Sequence, residues 1–243
     1  MIHQYGLIGE HLGYSFSKKY FKDKFQKLNL NATYDNYECT SIEAVRELLS
    51  KTDATGFNVT IPYKESIISL LDEVDAVAAE IGAVNTIKKI GDKWVGYNTD
   101  AFGFKQMIKP FFKNNHERAI IFGTGGASKA VQYVLEELGA SVLFVSRNPK
   151  GEFEYAYEEV NALMLNACHI LVNATPVGTA PNVNDFHDIP YGFLTADHLC
   201  VDLVYYPEET LFLNKSKTAG ANTINGITML HQQAEKSWQI WNN

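Results

Sequence analysis

Residues 118–130 read RAIIFGTGGASKA: a short apolar run enters Gly123-Thr124-Gly125-Gly126, and helix-forming residues follow at once. Strand, glycine turn and helix in that order open a nucleotide-binding βαβ unit. Glycine permits the tight turn and lets the main chain approach a pyrophosphate, which the free N–H groups of the helix N-terminus then hold. The match to G-x-G-x-x-G is incomplete, because Ser128 stands where a third glycine or an alanine is expected. A glycine turn that serves only packing would read the same way. A P-loop is excluded, since no Gly-Lys-Ser/Thr follows at the required spacing.

The next apolar run, SVLFVSRNPK at 141–150, refines the reading. Units that bind NAD place Asp or Glu at the end of this strand to hold the ribose 2′-hydroxyl. Here the position carries Ser146 and Arg147, with Lys150 nearby. A carboxylate would repel a 2′-phosphate, whereas a guanidinium grips it through paired charge-assisted hydrogen bonds. The residues therefore indicate NADP(H), the plainer alternative being that Arg147 is a solvated strand end. Downstream, the apolar pattern alternates: a helix over 155–165, strands over 169–173 and 199–204, and helices over 208–217 and 228–241. Such repetition implies a parallel sheet with helices on both faces and a ligand beyond the carboxyl ends of its strands.

Upstream, strands are expected over 5–9, 34–39, 56–61, 84–88 and 94–97. Helices are expected over 17–28, 41–49 and 100–112, with helical stretches reaching residue 81. Asn114 and Asn115 mark a break. The expected fold class is α/β with two α/β domains: residues 1–100 with 227–243, and a Rossmann-type doubly wound parallel sheet over 101–226. A cleft between two such domains is a common small-molecule site.

Net charge is −7, from 21 basic and 28 acidic residues, which works against nucleic acid as a partner. Cys39, Cys168 and Cys200 form no C-x-x-C pair and lie in or beside strands, so buried free thiols in a reducing, cytoplasmic compartment are expected. No uncharged apolar run reaches membrane-spanning length, and the first residues lack the pattern of a signal peptide. The histidines show no ligand spacing, so no metal is expected, and His169 reads as a core histidine. A G-x-S-x-G nucleophile elbow is missing.

Several polar residues have no evident structural duty. In GFNVTIPYKES, 56–66, Val59 and Ile61 read as buried strand that Pro62 ends, and Lys64 follows. Lys64 is either a solvated lysine opening the next helix or a cation carried to the rim of a cleft. Ser15 and Ser17 precede a helix, and one of them caps it. Asn85 sits within an apolar strand, and Asp100 opens a helix, where an N-cap role is the simpler reading. A lysine paired with an aspartate also makes a workable proton-transfer couple.

Together the stretches YSFS (14–17), NVTIPYK (58–64), GAVNT (82–86), NTDAFGF (98–104), GTGGAS (123–128), NATPVG (173–178) and NGITMLHQQA (225–234) resemble the shikimate dehydrogenase family, over nearly the whole chain. The resemblance implies NADPH-dependent reduction of 3-dehydroshikimate to shikimate, a step of aromatic amino acid biosynthesis, by a monomer or homodimer. It implies that Lys64 and Asp100 form the catalytic pair. Ser15, Ser17, Thr60, Asn85, Asp100, Tyr205 and Gln233 would hold the substrate's hydroxyls and carboxylate. Gly123, Gly125, Gly126 and Ala127 would carry the pyrophosphate, Ser146 and Arg147 the 2′-phosphate, and Thr175 and Gly226 would lie near the cofactor. The family's usual Asn-Arg-Thr is Ser146-Arg147-Asn148 here, its second basic residue falls at Gly151, and Lys18 replaces a proline. Two alternatives stand beside this reading: a quinate-oxidising paralogue using NAD or NADP, and a catalytically silent NADP-binding regulatory protein.

Overall fold

The structure, a computed structural model, describes residues 2–13 and 15–243; Tyr14, which opens the YSFS stretch, lies outside them. The chain forms two compact units, Met1–Thr99 with Ala234–Asn243, and Asp100–Gln233.

In the first unit, β1 (His3–Gly9), α1 (Phe16–Lys27), β2 (Ala32–Glu38), α2 (Ile42–Lys51) and β3 (Gly56–Val59) are followed by β4 (Glu73–Val74), α3 (Ala76–Ile81), β5 (Thr86–Ile90) and β6 (Lys93–Tyr97). The serine hydroxyls set the helix starts: Ser15 accepts the Lys18 N–H and Ser41 the Ala44 N–H, each at 3.2 Å. The strands form one sheet in the order β2-β1-β3-β5-β6-β4, with β2, β1 and β3 parallel and β5 antiparallel to both neighbours. β3 is buried at every residue, as a central strand must be. Ile8, Phe57, Val59, Tyr63 and Ile67 belong to one core, and Tyr5, Phe21, Phe25, Tyr34 and Trp241 to another.

β3 is shorter than its apolar letters suggest. It ends at Val59, and Ile61, expected inside, is 68% exposed because the chain turns after Thr60.

The second unit opens with α4 (Asp100–Ile108), then β7 (Arg118–Phe122), α5 (Gly126–Glu137), β8 (Ser141–Val145), β9 (Glu154–Tyr155), α6 (Ala162–Ala167), β10 (Ile170–Asn173), β11 (Leu199–Asp202), α7 (Leu211–Thr218), β12 (Asn222–Ile224) and α8 (Ile227–Asn242), whose last turns are counted with the first unit. All the strands are parallel, in the order β12-β11-β10-β7-β8-β9. This is the doubly wound arrangement, reversing direction between β7 and β10.

The helix expected over 155–165 begins only at Ala162, as α6. Residues 154–155 pair with β8, and Asn161 caps a shorter α6 by accepting the Leu163 and Met164 N–H groups. α4 stops before Pro110, which cannot continue a helix, and α7 waits for its cap, Thr210. Three short strands, β4, β9 and β12, have no counterpart in the expected pattern. His169, expected in the core, is only half-buried and pairs its Nδ1 with the Asn115 carbonyl at 3.0 Å.

Cys39, Cys168 and Cys200 are buried free thiols. Burial pushes the Cys168 thiol up to about 11 and that of Cys200 to about 12. Among the described residues no helix is long and apolar enough to cross a membrane, and no cluster of His, Cys, Asp or Glu has the makings of a metal site.

Candidate active site

In the first unit, three of the singled-out residues meet where β3 runs out. The Thr60 N–H donates to the Ile8 carbonyl at 2.9 Å, extending the β1–β3 ladder one residue beyond the strand. Lys64 lies in the following turn, half-buried, and its carbonyl accepts the Val84 N–H at 2.7 Å. The next residue, Asn85, returns the contact, its carbonyl accepting the Val59 N–H at 2.8 Å. Lys64 thus belongs to the strand's end and not to the 3-10 turn that begins at Ser66. The carboxyl ends of parallel strands are where open α/β sheets bind ligands.

Beneath these residues runs a buried polar network that the sequence did not announce. Asn58 is its hub, with Nδ2 donating to Ser237 Oγ at 2.9 Å and Thr86 Oγ1 at 3.1 Å, while Oδ1 accepts the Tyr34 hydroxyl at 2.8 Å. The Tyr34 phenol is raised by burial, against a hydrogen bond from Ser17 that lowers it. Ser237 also bonds Thr86 at 2.8 Å and Thr99 at 3.2 Å. Thr99 fixes the Asn85 amide, donating its N–H to Oδ1 at 2.6 Å and accepting from Nδ2 at 2.9 Å. Asn85, expected within a strand, precedes β5, where this clamp holds it. A buried network with its groups paired rigidifies what it supports. The one visible signal is Asn58, a polar letter in an otherwise apolar central strand.

In the second unit, Gly123 lies at φ +101°, a backbone conformation that side chains rarely adopt, and a Cβ there would come within 2.8 Å of Thr175 Cγ2. The loops after β7 and β10 therefore touch where the sheet reverses. α5 starts with Gly125 as its cap and no side chain on its first N–H groups, and Gly126 and Ala127 form its opening turn. Those N–H groups suit a pyrophosphate. Ser146, at the end of β8, has a buried hydroxyl without a partner among the described residues, as does Ser128. Arg147 beside it is exposed. An uncapped helix start and an orphaned hydroxyl at the β8 end fit a dinucleotide.

The remaining residues also fall here. Asp100 is the first residue of α4 and buried, not the cap preceding it. Gln233 is buried on α8, whose main chain comes close to α4 at Gly103: a Cβ there would lie 2.6 Å from the Met229 carbonyl. Tyr205 follows β11, and the Gly226 N–H donates to the Val204 carbonyl at 3.2 Å. Lys64 and Asp100 thus belong to different units.

One buried carboxylate ties the loops that carry Thr175 and Tyr205. Asp202 accepts Asn173 Nδ2 at 2.9 Å, the Val204 N–H at 2.9 Å and the Thr210 hydroxyl at 2.5 Å. Asn173 Oδ1 in turn accepts the Thr175 N–H at 3.0 Å and faces His187 Nε2 at 2.9 Å. Burial pushes the Asp202 carboxyl up to about 6, despite the hydrogen bonds from Thr210, Val204 and Asn173. Burial pushes the His187 imidazole, which packs parallel to the rings of Phe122 and Tyr157, down to about 4.

The two groups act on stability in opposite senses. The Asp202 contribution is present below about 3.8 and lost as pH rises through 6, while that of His187 is present above about 6.5 and lost as pH falls through 4. His187→Phe keeps the stack and removes one slope. On acidification from pH 6.5 to 4, the variant should gain stability relative to the parent by up to roughly 3 kcal/mol. Denaturant unfolding across that window measures it, and parallel curves would exclude a neutral buried imidazole.

The family model described as "Shikimate dehydrogenase substrate binding domain" matches residues 7–87. Among curated relatives, the shikimate dehydrogenase (NADP(+)) of Halothermothrix orenii is 38% identical, with 97% of this chain and 89% of the relative covered. That of Chlorobaculum tepidum is 37% identical over 98% and 89%. Among solved structures, the shikimate 5-dehydrogenase of Thermus thermophilus in complex with NADP(H) and shikimate superposes with a TM-score of 0.86 at 29% identity, covering 99% of this chain and 93% of that one.

Proposed function

The chain belongs to the shikimate dehydrogenase family, and on that premise we propose that it reduces 3-dehydroshikimate to shikimate in aromatic amino acid biosynthesis. NADPH, when bound, supplies the hydride. Gly123, Gly125, Gly126 and Ala127 would hold its pyrophosphate on the α5 N-terminus, and Ser146 and Arg147 its 2′-phosphate, with Thr175 and Gly226 nearby. In the first unit, Ser15, Ser17, Thr60 and Asn85 hold the substrate's hydroxyls and carboxylate, together with Tyr205 and Gln233 of the second.

Lys64, as an ammonium, donates a proton to the alkoxide that forms as the ring ketone is reduced. Asp100 positions Lys64 and the neighbouring hydroxyl. In the reverse direction Lys64 is the base. The single observation that carries this reading is the gathering of Thr60, Lys64 and Asn85 at the end of β3, above a buried network that fixes the Asn85 amide. The Thermus complex with NADP(H) and shikimate supports the same pair of ligands.

The test is direct. Purified protein is given shikimate or quinate with NADP or NAD, and nucleotide reduction is followed. Shikimate with NADP should turn over fastest. Preferred oxidation of quinate with NAD, or no turnover of either substrate, would overturn the reading.

A further inference from the structure

We propose that Glu154 is a specificity-determining residue, a carboxylate built into the 2′-phosphate loop that holds down the preference for NADP(H) over NAD(H). The inference rests on the nucleotide reading of the second unit. After Arg147 the chain doubles back. The Phe144 N–H donates to the Phe153 carbonyl at 2.8 Å and the Ser146 N–H to the Tyr155 carbonyl at 2.9 Å, so β9 lies along the end of β8 with Glu154 opposite Phe144.

The Glu154 carboxylate then reaches back into the loop it closes. Its Oε2 accepts the Lys150 N–H at 2.8 Å, and a Cβ at Gly151 would stand 3.2 Å from its Oε1. Two consequences follow. The Lys150 main-chain donor is already taken by an anion. The loop's two cations, Arg147 and Lys150, are also matched in number by Glu152 and Glu154, so the segment that must receive a phosphate dianion carries no net positive charge. A ribose 2′-hydroxyl meets no such repulsion. Arg147 is exposed and is the loop's one guanidinium.

A loop cap alone would need the hydrogen bond but not the charge, and Glu154→Gln separates the two, since its amide oxygen still accepts the Lys150 N–H. Calorimetric titration with NADP and with NAD gives a pair of dissociation constants for the parent, Glu154→Gln and Arg147→Ala. Glu154→Gln should tighten NADP by roughly two- to fivefold and leave NAD unchanged. The gain should shrink in 1 M salt. Arg147→Ala should weaken NADP alone. An unchanged NADP-to-NAD ratio in Glu154→Gln, with Arg147→Ala behaving as stated, overturns the role of Glu154 and spares the nucleotide reading. Binding of neither nucleotide by the parent overturns both.

Discussion

Replacing Lys64 with alanine lowers kcat by roughly two to four orders of magnitude, the usual worth of a positioned general acid, and raises the KM for shikimate far less. On the proposed reading the difference arises because the ammonium's proton matters most once charge has developed on the ring oxygen, whereas Thr60, Asn85 and the serine pair would bind the ground state. The local fold should survive, since it is the Lys64 main-chain carbonyl that holds the Val84 N–H and alanine keeps it. Steady-state rates in both directions, with thermal unfolding as a control for folding, measure the effect. Near-normal turnover in a folded variant would remove Lys64 from the chemistry.

Trp241→Ala should be the most damaging single truncation to the first unit, costing roughly 3–5 kcal/mol. The indole is 4% exposed and donates from Nε1 to the Ile87 carbonyl at 2.9 Å. It stacks on Tyr5 with ring centroids 4.7 Å apart and lies 5.2 Å from Phe21. Its seat exists because residue 56 is glycine: a Cβ there would fall 2.3 Å from Nε1 and 2.7 Å from the Ile87 carbonyl. Gly56→Ala should therefore destabilise as well, by roughly 1–3 kcal/mol, through overpacking. The two changes share one contact, so in the double variant the second should cost less than it does alone. Denaturant unfolding of the four proteins settles the matter, and a Trp241→Ala loss under about 1 kcal/mol would show that the indole only covers the sheet.

The second unit was legible in sequence because its central strands are buried on both faces. AIIF and ILVN read as unbroken apolar runs, and the glycine turn fixes where the first of them ends. The region 155–165 was not legible, because its aromatic and acidic letters suit a helix until the Asn161 side chain takes the N–H groups at which α6 begins. Strands as short as Glu73–Val74 are below what a two-residue alternation can reveal. Within the candidate site, Thr60 and Lys64 came from one stretch and Asn85 from another, and all three lie at one strand end. Asn58, Thr86, Thr99 and Ser237 went unread, since a lone polar letter in an apolar run does not say what it will pair with. Glu154 was hidden in the same way, by a fold-back that local letters do not encode.

Ser237 and Trp241 have a further consequence, for the order of events during synthesis. Domains ordinarily fold from the N-terminal end as they leave the ribosome. Residues 1–99 cannot complete their packing in that way here, because Asn58, Thr86 and Thr99 pair with Ser237, and Tyr5 and Phe21 pack on Trp241. The unit translated first is finished last, after the whole of 100–233 has emerged, and a ribosome stalled short of residue 234 leaves Asn58, Thr86 and Thr99 without Ser237 and the Tyr5 and Phe21 rings without Trp241.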